Sequence, residues 1–391
     1  MMRLAYRSFF VSLAFLVGCQ AEPDQILMPT GMRLAWDSLP HRVSQLELTA
    51  DLESSPALVT AQNDGGDFGS VDYPRLEYQY LSVSHPGLVM TQGSTTLSFP
   101  AASDDSTADS PEVETTVQLG RELADSEQVV VILRGFRVDT NRYESPPSFA
   151  SDPAIAYDPA LGYTTGGLSI RLDEPNFNDG QWSVRVAGRN RVLRGDREDM
   201  NAAIAEATTW MRVDYLAIGL PNDVSTSFAS TEYTINNPTF GTGTEHLHAP
   251  AADQALTFEA MPGHGILGYG LRSFDVSLNV EGLYDDGCTV VNEDLNAWGE
   301  PIHGPGRYLR DLSLKVQDMV SHDDGSVHGA LDLFISNSSV LNEIGNICAA
   351  YSGTVLLLRA PDATAPVEQT LRHRFASGEL TTQALDVANR D

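Results

Sequence analysis

Short segments of alternating polarity constrain the fold of this chain more than any other feature. They are rich in Val, Ile, Tyr and Phe and recur along its 391 residues. A two-residue period is typical of β-strands with one buried face, and long helical periodicity is scarce in this sequence. The clearest such segments are RLEYQYLSVS, QVVVILRGFRV, LSIRLDE, WSVRVAG, VDYLAIGL, SFDVSLNVEG, GALDLFIS and GTVLLLRA.

Turn signals separate these segments. Asn178-Asp179-Gly180, Asp285-Asp286-Gly287 and Asp323-Asp324-Gly325 contain Asp-Gly pairs, which tolerate the positive φ of hairpin turns. One stretch, 197–211, has early acidic residues and an Ala-rich middle and predicts a short helix. The sequence therefore predicts an all-β protein of tandem antiparallel β-sandwich domains with one short helix.

Composition divides the chain into candidate units. Residues 100–114 and 222–254 are rich in small, acidic or polar residues and are weakly patterned, so we expect linkers there. The segment 33–100 is small enough that pairing with its neighbour is an alternative to an independent domain. The predicted division is a signal peptide at 1–18, a tether at 19–32, a β-rich segment at 33–100, β-sandwiches at 113–221 and 255–362, and a polar tail at 363–391.

The N-terminus has the pattern of a lipoprotein signal. Arg3 and Arg7 accompany an apolar run at 8–18 that is too short to cross a bilayer. The run ends in Leu16-Val17-Gly18-Cys19, which resembles the lipobox of bacterial lipoproteins. That family carries a diacylglyceryl group on the cysteine thiol and a further acyl chain such as palmitate on the new amino group. An ordinary secretory signal with a chance cysteine is the alternative.

The lipobox resemblance implies a location and a redox environment. Gln20, rather than Asp, follows Cys19, which by the family's rule implies lipid anchoring to the bacterial outer membrane, on either its periplasmic or its outer face. Because the compartments beyond the cytoplasm are oxidising, we expect Cys288 and Cys348 to form a disulfide. Two buried free thiols are the alternative.

Charge and motif content argue against several function classes. The formal net charge of −29 repels nucleic acid and anionic lipid headgroups. Lys315 is the only lysine and follows Leu314, so the G-x-x-x-x-G-K-[ST] phosphate loop is absent and Schiff-base chemistry is not expected. The sequence also lacks a G-x-S-x-G elbow, and its many carboxylates single out no glycosidase pair. We therefore expect no enzymatic activity and assign no catalytic residue.

The middle segment resembles an H-type lectin domain, the six-stranded antiparallel sandwich of snail agglutinins and discoidins. VQLGRELADSEQVVVILRGFRVDTN (117–141) resembles the opening strands, GGLSIRLDEPNFNDGQWSVRV (166–186) the next hairpin and WMRVDYLAIGL (210–220) the closing strand. Trp182 takes the aromatic position of the hairpin, and Tyr215 stands where the family has tryptophan. The resemblance implies sugar binding and, because the family tends to form trimers, a homo-oligomer.

At the positions of that family's sugar site, this sequence differs from the family pattern more than it does in the strands. Gly166-Gly167 stands where the family has a sugar-binding arginine, and Arg189-Asn190-Arg191 stands where it has aromatic or histidine groups. Guanidinium groups suit carboxylate or sulfate, so an acidic glycan is one reading of this cluster. Ion pairing with nearby acids is the alternative. The candidate ligand-binding residues are Arg189, Arg191, Arg194, Trp182 and Tyr215.

Metal sites are weakly indicated. His246 and His248 in EHLHAP would project from the same face of a strand and could begin a zinc site, but the sequence places no third ligand. The Asp-Asp-Gly turns offer oxygen ligands for calcium, although hairpin geometry alone explains them. We expect no other cofactor.

Three functions remain. The first is a surface-anchored lipoprotein whose β-sandwich modules bind a glycan or another envelope component without catalysis. The second is a structural envelope protein that binds protein partners without recognising sugar. The third is an anchored hydrolase.

Overall fold

The fold is almost entirely β. The computed structural model describes residues 25–35, 45–64, 75–99, 112–139, 164–193, 209–237, 244–247, 254–278, 308–338, 347–375 and 380–385. These residues form antiparallel strands in three sheets and one single-turn 3-10 helix, Arg121–Leu123. The predicted all-β, antiparallel class is confirmed. None of the described segments is a helix of the length and apolarity that crossing a membrane requires.

The strands are numbered in chain order. They are β1 (Gln25–Ala35), β2 (Gln45–Asp51), β3 (Leu58–Asp64), β4 (Arg75–Ser84), β5 (Val89–Phe99), β6 (Val113–Gln118), β7 (Gln128–Asp139), β8 (Thr164–Leu172), β9 (Asn176–Asn178), β10 (Gln181–Leu193), β11 (Thr209–Leu220), β12 (Ser225–Asn237), β13 (Thr244–Leu247), β14 (Ala255–Phe258), β15 (His264–Leu278), β16 (Tyr308–Ser321), β17 (Val327–Ser338), β18 (Ile347–Pro361), β19 (Glu368–Arg374) and β20 (Thr381–Ala384).

Three sheets share these strands. Sheet A has the order β13-β17-β16-β1-β4-β19, with β14 also on β17; sheet B has the order β20-β3-β2-β7-β11-β5; and sheet C has the order β12-β18-β15-β8-β10-β6, with β9 also on β10. Strand pairing crosses the predicted segments, because β1 pairs with β16 and β8 pairs with β15. The segments at 33–100, 113–221 and 255–362 are therefore joined by backbone hydrogen bonds.

One hydrophobic core lies between the sheets and takes side chains from all three. β1, β7 and β15, one strand from each sheet, contact one another. The ring centroids of Phe136 in sheet B and Phe274 in sheet C lie 5.9 Å apart. The Tyr78 hydroxyl of sheet A donates to the Arg134 carbonyl of sheet B at 2.9 Å. The sheets therefore pack face to face as in a β-sandwich, around a shared interior.

β1 begins within the predicted tether. Residues 25–32 belong to this strand, where Met28 and Met32 are 0% and 2% exposed. Pro29 is tolerated because the β1 pairing with β16 starts only at Gly31, which leaves one side of the strand without a described partner at the proline. The apolar content of QILMPTGM explains the burial, so residues 25–32 are part of the folded body rather than a tether.

The Asp-Gly turn predictions are confirmed where the structure describes them. Asp179 and Gly180 have φ of 52° and 78° in the turn between β9 and β10. Gly325 has φ of 84° between β16 and β17. The turn at 285–287 lies outside the described residues.

Two other predictions differ from the structure where it describes the residues. Of the predicted helix, residues 197–208 lie outside the described residues, and residues 209–211 belong to β11. The predicted polar tail contains β19, which pairs with β4, and β20, which pairs with β3. Both are edge strands with one exposed face, so their sequences are polar even though the backbone is part of a sheet.

Candidate functional site

The register of sheet A gathers basic side chains on one face. Arg33 lies opposite Glu77, and Glu77 lies opposite Arg372 on the edge strand β19. Cross-strand partners project from the same face, and side chains alternate along each strand. The surface defined in this way is called the cationic face, and its basic residues are Arg33, Arg75, Lys315, Arg372 and Arg374.

The opposite face of sheet A fixes this register. Leu34, Leu76, Tyr78 and Leu314 are all 0% exposed in the core. A slip of one residue would bring the basic side chains into the core and expose the apolar ones. Burial of the inner face therefore holds the cationic face in place.

Glu77 is the acidic centre of the cationic face. Its Oε1 lies 3.3 Å from Arg372 Nε, and its Oε2 lies 3.9 Å from Lys315 Nζ. Lys315 Nζ is also 3.9 Å from Asp332 Oδ2, which accepts a hydrogen bond from Ser313 Oγ at 2.9 Å. These contacts hold Lys315, whose side chain is 12% exposed.

Gly31 makes room for Lys315. The two residues are register partners on β1 and β16, and a Cβ added at Gly31 would lie 2.8 Å from the Lys315 Cα. Real Cβ atoms do not approach a backbone atom so closely. The glycine therefore lets the lysine stem cross the face of the sheet.

A recess opens where β4 and β19 form the edge of this sheet. It has a volume of about 340 Å³ and is lined by Arg75, Leu76, Glu77, Arg372, His373 and Arg374. Arg75 and Arg374 lie directly opposite each other and are exposed. His373 alternates to the other face of β19, where its Nε2 lies 3.2 Å from Gln383 Nε2 of β20 in sheet B.

The recess is a basic site on an acidic chain. Three of its described lining residues are arginines, and one, Glu77, is acidic. Guanidinium groups bind carboxylate, sulfate and phosphate through paired, charge-assisted hydrogen bonds. Its volume is at the lower end of the range for small-molecule sites, about 300–1,000 Å³. This arrangement can bind an anionic group and supplies no evident nucleophile.

A half-buried carboxyl lies further along β19. Glu368 Oε2 accepts hydrogen bonds from Thr30 Oγ1 at 3.1 Å and from the Tyr269 hydroxyl at 3.2 Å. Burial raises the pKa of Glu368, and these hydrogen bonds and the charge of Lys315 oppose the shift. Burial also raises the pKa of Tyr269, and the neighbouring Glu368 adds to that shift. The group joins β1, β15 and β19.

A second charged network is buried in sheet B. Glu47 is 5% exposed and Asp214 is 2% exposed. Arg212 contacts both, with Nη2 3.0 Å from Glu47 Oε1 and Nε 3.2 Å from Asp214 Oδ1. Arg137 Nη1 lies 3.2 Å from Glu47 Oε2, and Arg134 Nη2 lies 3.7 Å from Asp214 Oδ1. Because its acids are almost inaccessible, this network joins β2, β7 and β11 rather than receiving a ligand.

Of the predicted ligand-binding residues, the three with described side chains lie on two different sheets. Tyr215 is 5% exposed in sheet B, where its hydroxyl occupies the space above Gly93, and burial raises its pKa. Trp182 is half-buried on β10 of sheet C, with its ring centroid 5.2 Å from that of Phe177. Arg189 is half-buried on the same strand. Arg191 is in β10 with no described side chain, and Arg194 lies outside the described residues.

The metal and cysteine predictions fall largely outside what the structure describes. His246 lies in β13 opposite Ser336, and His248 is beyond the described residues. Within the described ranges no group of three or more His, Cys, Asp or Glu side chains could hold a metal ion. Cys348 lies in β18, while Cys19 and Cys288 are not described. The disulfide and calcium therefore stay predictions.

Sequence reasoning missed the cationic face because its members are far apart in the chain. The local signal was present in Arg372-x-Arg374 and in Arg75-x-Glu77, both of which alternate as on a strand with one exposed face. What sequence could not provide was the pairing that brings these strands beside Lys315. No protein-family model matches this chain, and no curated protein matches it either.

Proposed function

We propose that this chain is a lipid-anchored protein of the bacterial outer membrane that binds an anionic glycan, or another anionic envelope component, without catalysis. The cationic face of sheet A carries this proposal. It concentrates basic side chains in a chain whose formal net charge is −29, so it is an exception to the character of the surface. A basic surface on an otherwise acidic protein attracts a negatively charged partner.

The carbohydrate part of the proposal has separate support. The segment that resembles an H-type lectin contributes β6, β8 and β10 to sheet C and β7 and β11 to sheet B. These two groups of strands face each other, since a Cβ added at Gly188 of β10 would lie 2.8 Å from Leu97 and 3.2 Å from Met211 in sheet B. A two-sheet arrangement of this segment agrees with the resemblance, while the basic recess offers a different sugar contact from the family's own.

Binding can be tested with the mature chain carrying Cys19→Ser, which removes the proposed lipid. We expect it to bind heparin and alginate at low salt, to lose affinity as salt rises, and to ignore neutral dextran. Arg372→Gln with Arg374→Gln should weaken heparin binding by about tenfold, the equivalent of about 1.4 kcal/mol.

The matched control is Arg171→Gln with Arg185→Gln. These arginines are exposed on sheet C and pair with Asp173, so the control removes the same charge from another face. Equal loss of heparin affinity in the two variants would show a non-specific charge effect. Failure of the folded protein to bind every polyanion would refute the proposal.

The anchor has its own test. Metabolic palmitate labelling should mark the wild-type chain and not Cys19→Ser, and the variant should leave the membrane fraction. Unlabelled wild-type protein would refute the lipid anchor while leaving the glycan experiment valid.

A further inference from the structure

We infer that the lipid anchor and the basic recess lie at opposite ends of the body, so that the recess takes anionic groups of a polysaccharide on the side away from the anchoring membrane. The inference rests on the proposed function and adds a direction and a partner class to it. Its basis is the path of β1.

The anchored end is defined by a short linker. Only residues 20–24 separate Cys19 from Gln25, the first residue of β1. Even a fully extended chain spans only about 20 Å between these two residues. Gln25 pairs with Ser84, the last residue of β4. The lipid would therefore hold this end of sheet A close to the bilayer.

The recess lies at the other end of the same strands. β1 has 11 residues, which at strand geometry correspond to about 33 Å. Its last residue, Ala35, lies opposite Arg75, and Arg75 lies opposite Arg374. The two arginines at the mouth of the recess are thus about one full strand length from the point where the linker enters.

Charge does not favour this orientation, so the short linker has to impose it. The anchored end carries Asp223, which lies 3.5 Å from His85 beside the end of β4. Glu127 is near it in the sheet, because Glu127 precedes Gln128, which pairs with Leu220 three residues before Asp223. An anionic membrane surface repels these acidic side chains and the acidic body as a whole, and the linker holds this end at the bilayer against that repulsion. Basic side chains at the far end are held away from the headgroups that would otherwise occupy them.

These features select a polysaccharide over a lipid headgroup. A headgroup of the anchoring membrane lies at the Gln25 end, whereas a polymer with carboxylate, sulfate or phosphate groups can approach the Arg374 end from the opposite side. The recess volume of about 340 Å³ admits a short stretch of such a polymer. The protein would then link a membrane to an anionic glycan layer.

The experiment uses the natively acylated protein in phosphatidylcholine vesicles and heparin-coated beads. A bead is far larger than the protein, so it reaches the recess only if the recess is away from the bilayer. We expect the beads to capture the vesicles at low salt, and Arg372→Gln with Arg374→Gln to lower capture by about tenfold relative to Arg171→Gln with Arg185→Gln.

The outcomes separate the two proposals. If soluble Cys19→Ser protein binds the beads and the anchored protein does not, the orientation is wrong and the binding function stands. If neither protein binds the beads while both are folded, the proposed binding function is refuted. If both bind and only the recess variant loses capture, both proposals hold.

Discussion

At the scale of residues, the interior contains polar groups whose partners come from distant parts of the chain. Arg359 is 2% exposed, and its Nη1 donates to the Glu259 carbonyl at 2.6 Å while its Nη2 donates to Ser227 Oγ at 3.2 Å. Burial lowers its pKa, although a guanidinium group stays charged at any physiological pH. In the sequence this arginine ends an apolar strand and looks like a boundary residue, so its role was not predictable.

Glu368 gives a pH-dependent prediction at the same scale. Its pKa is raised by burial, so the folded chain binds its proton more tightly than the unfolded chain does. This contribution to stability is complete below the unfolded pKa, about 4.3, and is lost as the pH rises through the folded pKa. Glu368→Gln keeps an oxygen that can accept from Tyr269 and Thr30 and has no proton to lose.

We therefore expect the unfolding free energy of Glu368→Gln to increase relative to that of the wild type as the pH rises from 4 to 7. Urea unfolding at several pH values measures this difference. Glu232→Gln, at an exposed position on β12, is the control. A difference that shrinks with rising pH would contradict the assignment.

At the scale of elements, alternation predicted strands and Asp-Gly pairs predicted turns, because both depend on neighbours in the sequence. The pairing of β1 with β16 could not be predicted, since any two amphipathic strands can pair and the choice depends on the whole core. The same limit applies to the cationic face, whose members come from β1, β4, β16 and β19. Tyr215 shows a different limit. From sequence alone, an aromatic residue in a strand can be interpreted equally well as a ligand-binding ring or as a core residue, and Tyr215 is in the core.

The network that joins β2, β7 and β11 gives an element-scale prediction. Glu47→Gln removes the buried charge between Arg137 and Arg212 and leaves two guanidinium groups poorly compensated. We expect a loss of about 2–4 kcal/mol in the free energy of unfolding, measured with urea. Glu112→Gln breaks an exposed pair with Arg171 and should cost less than about 1 kcal/mol. Equal losses would show that the network adds nothing beyond a surface pair.

At the scale of the whole molecule, the last strands of the chain close two sheets. β19 covers the edge of β4 in sheet A, and β20 covers the edge of β3 in sheet B. Phe375 and Leu385 follow these strands and are 4% and 2% exposed. The C-terminal region that composition describes as a polar tail therefore protects two edges and completes the recess.

Truncation tests this view of the whole molecule. A chain ending at Asp362 loses both strands, uncovers the edges of β3 and β4, and removes Arg372 and Arg374 from the recess. We expect a lower melting temperature, self-association on size-exclusion chromatography because uncovered edges pair with other chains, and no heparin binding. A chain ending at Asp386 keeps both strands and should match the full-length protein in all three measurements. If the Asp362 truncation also matched it, β19 and β20 would be dispensable attachments and the recess could not be the binding site.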